Sequence, residues 1–325
     1  MTKKALITGI AGQDGSYLAD LLLAQGYEVH GIVRRIAIED SAHKLKNIQH
    51  VHGRVKLHVA SLDNVLSLIK TIREVMPDEC YHLAASSFVS YSFEDEMSIL
   101  NNNINSTHYL LAALKEFVPR CRFYYAGSSE MFGAVETSPQ DERTPFNPRA
   151  IYGVSKVAGY HLVKNYRQQY GMFACSGILY NHESPRRGYE FVTRKIVSSA
   201  VRIKLGLQES VSLGNLDAHR DWGYAPDYVN AMWLMLQAQD PDDYVVATGE
   251  THTVREFVET AFGCLDLDYR QYVKIDPQFF RPAEQVPLCG NPAKIARDLG
   301  WKRTRTLPEI IREMVTSELE LYTTK

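Results

Sequence analysis

Apolar and polar positions along the chain follow two rhythms. Short apolar runs, several rich in β-branched residues, recur at 3–8, 27–33, 55–59, 79–83, 121–126 and 173–179, each bounded by glycine, proline or polar residues. Such runs predict strands. Between them, segments at 16–25, 63–75, 98–117 and 148–170 repeat apolar residues every third or fourth position, which predicts helices with one buried face. Strand and helix in alternation predict an α/β fold, a Rossmann-type doubly wound parallel sheet. The polar stretch 36–54 interrupts the rhythm. Its histidines, His43, His50 and His52, have no cysteine or acidic cluster beside them, so a surface loop is expected there and no metal site.

Past residue 180 the alternation fails. A polar segment at 181–188 precedes an expected helix at 192–204, and 221–239 also reads as helix, with a strand at 244–247. A helix at 254–263, a loop at 276–284 and a terminal helix at 307–322 complete the chain. The expected division is a nucleotide-binding domain from 1–180 plus about 221–248, and a smaller, mixed substrate-binding lobe from about 181–220 plus 249–325. A length of 325 residues suits two lobes better than one core.

Composition narrows the class without naming a chemistry. Apolar content of 45% and charged content of 23% are those of an ordinary globular protein. A net charge of -2 gives no electrostatic reason to expect nucleic acid or an anionic membrane. No apolar run reaches the span of about 18 residues that a membrane helix needs. The start, Met-Thr-Lys-Lys, enters the first strand directly, so no signal peptide is expected. The five cysteines (Cys80, Cys121, Cys175, Cys264, Cys289) are odd in number and form no C-x-x-C pair. Reduced thiols in a cytoplasmic protein follow from that.

The candidate chemistry begins with Gly9, Gly12 and Gly15, spaced G-x-x-G-x-x-G between a strand and a helix. In that context glycines let the backbone approach a pyrophosphate, which would sit on the helix N-terminus. The second strand ends in Arg34-Arg35 where NAD-binding folds usually place a carboxylate. Two guanidinium groups suit a 2′-phosphate, which favours NADP. Small residues from Ala84 follow the fourth strand, where backbone can lie against a cofactor, and Ser87 there could reach a substrate. Tyr152 and Lys156 lie four apart in one expected helix and so leave the same face. An ammonium one turn from a phenol favours the phenolate. Ser128 and Glu130 add a hydroxyl and a carboxylate from the end of the preceding strand, an acid/base set suited to a sugar carbon bearing a hydroxyl. Arg186, Arg187, Arg194, Lys195, Arg220 and Arg281 gather in the second half, where turns facing the cleft would suit a diphosphate-linked substrate.

Together the glycine pattern, Tyr152-x-x-x-Lys156 and Ser128 resemble the extended short-chain dehydrogenase/reductase family. Segments 8–19, 29–35, 180–188, 191–195, 220–223 and 280–284 resemble, within it, the GDP-mannose 4,6-dehydratases. The resemblance implies a bound NADP held by Gly9, Gly12, Gln13, Asp14, Gly15, Arg34, Arg35, Leu62, Ala84, Tyr152, Lys156 and His182. It implies Ser128, Glu130, Tyr152 and Lys156 as catalytic, and a GDP-sugar met by Ser87, Glu130, Asn181, Lys195, Arg220, Arg281 and Glu284. The implied reaction moves hydride from C4 to C6 of the sugar and expels water, and the implied assembly is a homodimer or homotetramer, in which helices 98–117 and 148–170 could meet their copies. Ser128 stands where the family has threonine, Ser86 and Phe88 replace a glutamine and a histidine, 59–62 lacks an aspartate, and the loop after Arg35 is shorter. A GDP-manno-heptose dehydratase therefore stays open, as does an NADP-dependent C4 reductase or epimerase, although neither of these last needs the Glu130 carboxylate. A non-enzymatic NADP sensor would tend to lose Tyr152 or Lys156, and both are present.

Overall fold

The chain enters as β1 (Lys4–Thr8), α1 (Gln13–Ala24), β2 (Glu28–Val33), α2 (Arg35–Glu39), α3 (Ser41–Lys44) and a 3-10 run at Lys46–Arg54. It continues through β3 (Val55–Val59), α4 (Val65–Val75), β4 (Glu79–His82), α5 (Glu96–Phe117), β5 (Arg122–Ala126), α6 (Ile151–Tyr170) and β6 (Ala174–Leu179). The second half comprises β7 (Asn181–Glu183), α7 (Val192–Lys204), β8 (Val211–Leu213), β9 (His219–Arg220), β10 (Trp222–Tyr224), α8 (Ala225–Gln237) and β11 (Tyr244–Val246). It closes with β12 (His252–Thr253), α9 (Val254–Gly263), β13 (Val273–Ile275), α10 (Ala293–Leu299) and α11 (Leu307–Thr323). This computed structural model describes residues 2–86, 95–279 and 286–323.

Seven parallel strands form the central sheet in the order β11-β6-β5-β4-β1-β2-β3. The central strands are apolar on both faces because both are covered: Ala5, Leu6 and Ile7 have no exposed surface. One face packs on α1 and α8 through Leu18, Leu22, Met232 and Met235, the other on α4, α5 and α6 through Leu68, Leu110, Leu114 and Val163. Burying each such side chain stabilises by about 1.5–3 kcal/mol. A third cluster, built on Val197, Val201, Phe257, Phe262, Ile311 and Met314, joins α7, α9 and α11 away from the sheet. Gly31 in β2 is fixed by packing, since a Cβ there would lie 2.5 Å from Ile10 Cγ2.

Strand order reverses between β1 and β4, which opens the ligand crevice of a doubly wound sheet at their C-terminal ends. Thr8 holds this point closed underneath. Its Oγ1 accepts from the amides of Leu83 and Ala84, both at 3.1 Å, and lies 2.9 Å from His82 Nδ1.

Three expectations need correcting. The stretch 36–54 is not a loop but helical turns, anchored by buried Leu45, Ile48 and Val51. The helix expected from 221 starts at Ala225, because Trp222–Tyr224 pairs as a strand with Asn181–Glu183 and Pro226 opens the helix. The helix expected from 148 starts at Ile151, because Asn147 is committed to the loop after β5: its carbonyl accepts from Ala134 N at 2.9 Å. Among the described residues no helix is long and apolar enough to cross a membrane.

Candidate active site

Four strand ends bring the expected dinucleotide residues to one edge of the sheet. After β1, Gly9 turns with φ +76, and a Cβ there would meet the Ala84 backbone at 3.1 Å. The positive φ favours glycine, and a side chain there would also crowd the Ala84 backbone. Gly15 sits in the first turn of α1, where a Cβ would collide with the Gly9 carbonyl. Gly12 precedes α1, and no side chain caps the helix, so its first amides are left for an anion. Exposed Arg34 and Arg35 follow β2, half-buried Leu62 follows β3, and Ala84 follows β4. This donor set fits a dinucleotide.

Gln13 and Asp14 point to the second half of the chain. Gln13 Nε2 donates to the His182 carbonyl at 3.0 Å, and its Oε1 accepts from Ser184 Oγ at 2.8 Å. His182 Nε2 lies 3.0 Å from Asp14 Oδ2, and its Nδ1 2.7 Å from the Tyr180 carbonyl. Burial works against both charges, but each partner holds the other: the His182 pKa is raised and that of Asp14 lowered.

The candidate catalytic groups converge from β5 and α6. Ser128 follows β5 and caps the 3-10 turn Ser129–Met131, accepting from Glu130 N at 3.2 Å. Tyr152 and Lys156 are buried on one face of α6, with Nζ 5.7 Å from the Tyr152 ring centre. Burial pushes the Tyr152 phenol up to about 12, while a hydrogen bond with Ser128 works to lower it. Burial also brings the Lys156 ammonium down to about 8. The lysine does not neutralise the burial of the phenol: its Nζ donates to the Ala126 carbonyl at 2.8 Å and lies over the Tyr125 ring at 5.1 Å.

Of the expected substrate residues, Asn181 opens β7 and is half-buried. Lys195 Nζ donates to the Ser212 carbonyl at 2.8 Å and lies 4.2 Å above the Phe279 ring, and burial lowers its pKa. Half-buried Arg220 lies on β9 with Nη1 2.6 Å from the His219 carbonyl. Ser87, Arg281 and Glu284 lie outside the described residues. The other arginines do not act as one set facing a cleft. Arg194 is buried against Glu318 of α11, and Arg186 reaches back to α1, where Nη1 lies 2.8 Å from Asp20 Oδ2 and the guanidinium stacks on Tyr17. Arg187 pairs with buried Glu183 at 3.3 Å. No group of His, Cys, Asp and Glu able to hold a metal occurs among the described residues.

Two positioning residues escape the sequence reading. A Cβ on Gly153 would lie 2.5 Å from the Glu130 carbonyl, so this glycine lets Tyr152 approach Ser128 and Glu130. A glycine in the first turns of a helix, where it costs about 1 kcal/mol relative to alanine, is the signal that marks it. Buried Asn103 accepts from Ser86 N at 3.0 Å and donates to Ser155 Oγ at 3.0 Å, and Ser155 Oγ donates to the Tyr152 carbonyl at 2.7 Å. It thereby fixes α5, α6 and the end of β4 together. Within the asparagine run of α5 nothing singles it out.

A family model described as GDP-mannose 4,6 dehydratase matches residues 6–314. GDP-mannose 4,6 dehydratase 2 of Arabidopsis thaliana is 49% identical, over 98% of this chain and 87% of the relative. The GDP-mannose 4,6 dehydratase of Homo sapiens is 46% identical, over 98% and 92%. Among solved structures, Thermus thermophilus UDP-glucose 4-epimerase with NAD superposes with a TM-score of 0.82 at 25% identity, covering 97% of this chain and 98% of that one. DesIV, a dTDP-glucose 4,6-dehydratase from Streptomyces venezuelae with NAD and TYD bound, gives 0.85 at 21% identity, covering 99% and 98%, a likeness of fold. Matched by that family model over residues 6–314 and by curated relatives over nearly its whole length, the chain belongs to the GDP-mannose 4,6-dehydratase family, hydro-lyases of the extended short-chain dehydrogenase/reductase type.

Proposed function

We propose that the chain converts GDP-mannose to GDP-4-keto-6-deoxymannose using tightly held NADP. The single observation that carries this is Glu130: a carboxylate shares one 3-10 turn with Ser128 and is packed against the start of the Tyr152 helix. A C4 epimerase or reductase has no use for a base at C5; elimination of water from C5 and C6 requires one. The uncapped α1 N-terminus suits a pyrophosphate, and Arg34 with Arg35 suits a 2′-phosphate.

Bound there, a nicotinamide supplies an acceptor for the C4 hydride and a donor of the same hydride to C6, and in its oxidised form it adds positive charge. Tyr152 Oη takes the proton of the 4-hydroxyl while Ser128 Oγ hydrogen-bonds the 4-oxygen. With its burial-raised pKa near 12 the phenol needs that added positive charge, together with Arg187 and the Ser128 hydrogen bond, to give up its own proton. Once C4 is a ketone, the C5 hydrogen is acidic. Glu130 removes it and passes a proton to the C6 hydroxyl, which leaves as water; when C6 regains the hydride, the proton that Tyr152 took from the 4-hydroxyl returns to C5. Lys195 and Arg220 would meet the diphosphate of the GDP-sugar. The reaction is redox-neutral overall.

Purified protein incubated with GDP-mannose and no added reductant is expected to give a product lighter by one water, with a ketone at C4 and a methyl at C6. Stoichiometric release of NADPH with a sugar that keeps its C6 hydroxyl overturns the reading.

A further inference from the structure

Asp14 occupies the first turn of α1, beside the glycine loop. Alone there, a carboxylate is favoured by the helix dipole. A pyrophosphate bound at the same helix end would meet it as a like charge, at a cost of about tenfold or more in affinity if nothing intervened. His182 intervenes. Its Nδ1 faces a carbonyl and its Nε2 a carboxylate, acceptors only, so both ring nitrogens must carry protons. The ring is also stacked on Tyr228, 4.4 Å between centres, a face that favours a cation.

Resting on the reading that this chain binds a nicotinamide dinucleotide, we propose that His182 is a positioning residue whose imidazolium cancels the Asp14 carboxylate, so that cofactor affinity depends on its proton. Other charges face the pair. Arg187 opposes the imidazolium and supports the Asp14 carboxylate, while Glu183, beside His182 on β7, is itself tied to Arg187 and to Thr193. Tyr180 offers its carbonyl, Gln13 donates to Asp14 at 3.1 Å, and Tyr124 and Tyr152 face Asp14 from β5 and α6. With the imidazole held above its ordinary range by Asp14, the pair stays intact at neutral pH. It is lost as pH rises through the value His182 has in the fold.

The test is the dissociation constant of NADPH, followed by its fluorescence on the whole chain between about pH 6 and 10. Lys156 titrates in the same range, so the readout is the difference between wild type and Asp14→Asn. Wild type is expected to lose about tenfold or more in affinity on the alkaline side through the pair, and Asp14→Asn to lack that part of the fall. His182→Gln should bind weakly at every pH. The double variant Asp14→Asn/His182→Gln should bind more tightly than His182→Gln alone, a rescue that a merely structural pair does not give. A double variant no better than His182→Gln, or an alkaline fall identical in wild type and Asp14→Asn, overturns the proposal. If thermal melts show that His182→Gln does not fold, the comparison of wild type with Asp14→Asn decides alone. A chain that shows this pattern yet leaves GDP-mannose untouched sinks only the substrate reading; one that binds no dinucleotide at any pH sinks both.

Discussion

Replacing Gly153 by alanine sets helix propensity against steric fit where the start of α6 packs on the Glu130 turn. Propensity favours alanine by about 1 kcal/mol. Against it, the new Cβ would lie 2.5 Å from the Glu130 carbonyl oxygen and 3.0 Å from Pro148 Cβ. The oxygen belongs to backbone that cannot swing aside, since Met131 N bonds the Ser128 carbonyl at 3.0 Å and Asn147 N bonds the Met131 carbonyl at 3.2 Å. Overpacking of this kind costs about 1–3 kcal/mol, so the net loss of stability is between roughly zero and 2 kcal/mol, a fall in Tm of at most a few degrees. Relief requires the helix start and the Glu130 turn to separate by up to roughly 0.9 Å, from 2.5 Å to an ordinary contact of 3.4 Å. A misplacement of that size costs about 100-fold in rate. Gly153→Ala should therefore melt close to wild type, bind NADPH normally and lose about two orders of magnitude in kcat on GDP-mannose. A variant with raised Tm and unchanged kcat would show that propensity wins and that the contact does not set the geometry.

Glu130→Gln should still oxidise the sugar at C4, seen as NADPH absorbance building on the enzyme, while formation of the 6-deoxy product fails; unchanged turnover removes Glu130 from the C5 step. Arg35→Ala should shift the ratio of NADP to NAD affinity by about 10–100-fold toward NAD, the worth of one charge-assisted hydrogen bond, and titrations with both dinucleotides read it; an unchanged ratio means that the β2 tip does not meet a 2′-phosphate. Burial holds His82 neutral, with its pKa down to about 3. Because that value is below the unfolded one, its contribution to stability is present above about pH 6.5 and is lost as pH falls toward 3, amounting to a few kcal/mol. Urea melts from neutral to acid pH should show wild type weakening more steeply than His82→Gln, and parallel slopes would contradict this.

The sheet was legible because its central strands are buried on both faces and read as apolar runs, and because glycine, proline and polar residues mark the strand ends. The glycine turn and the Tyr152–Lys156 helix were legible for a related reason: spacing alone puts their groups on one turn or one face. The second half resisted because β7 and β10 gain their identity from pairing with each other, which no local pattern in Asn181–Glu183 or Trp222–Tyr224 announces. The arginines misled for a similar reason. Charge and order in sequence could not tell Arg194, neutralised by Glu318 from more than a hundred residues away, from a group turned to a ligand. Spacing put Lys156 beside Tyr152, but only three-dimensional burial shows that the phenol is pushed up and the lysine down.

The most direct measurement follows the hydrogen itself. GDP-mannose deuterated at C4 is expected to give a product with that deuterium in the C6 methyl group, at full retention and with none in added NADP. Deuterium found in the free cofactor pool, or a C6 methyl carrying only protium, would contradict the account.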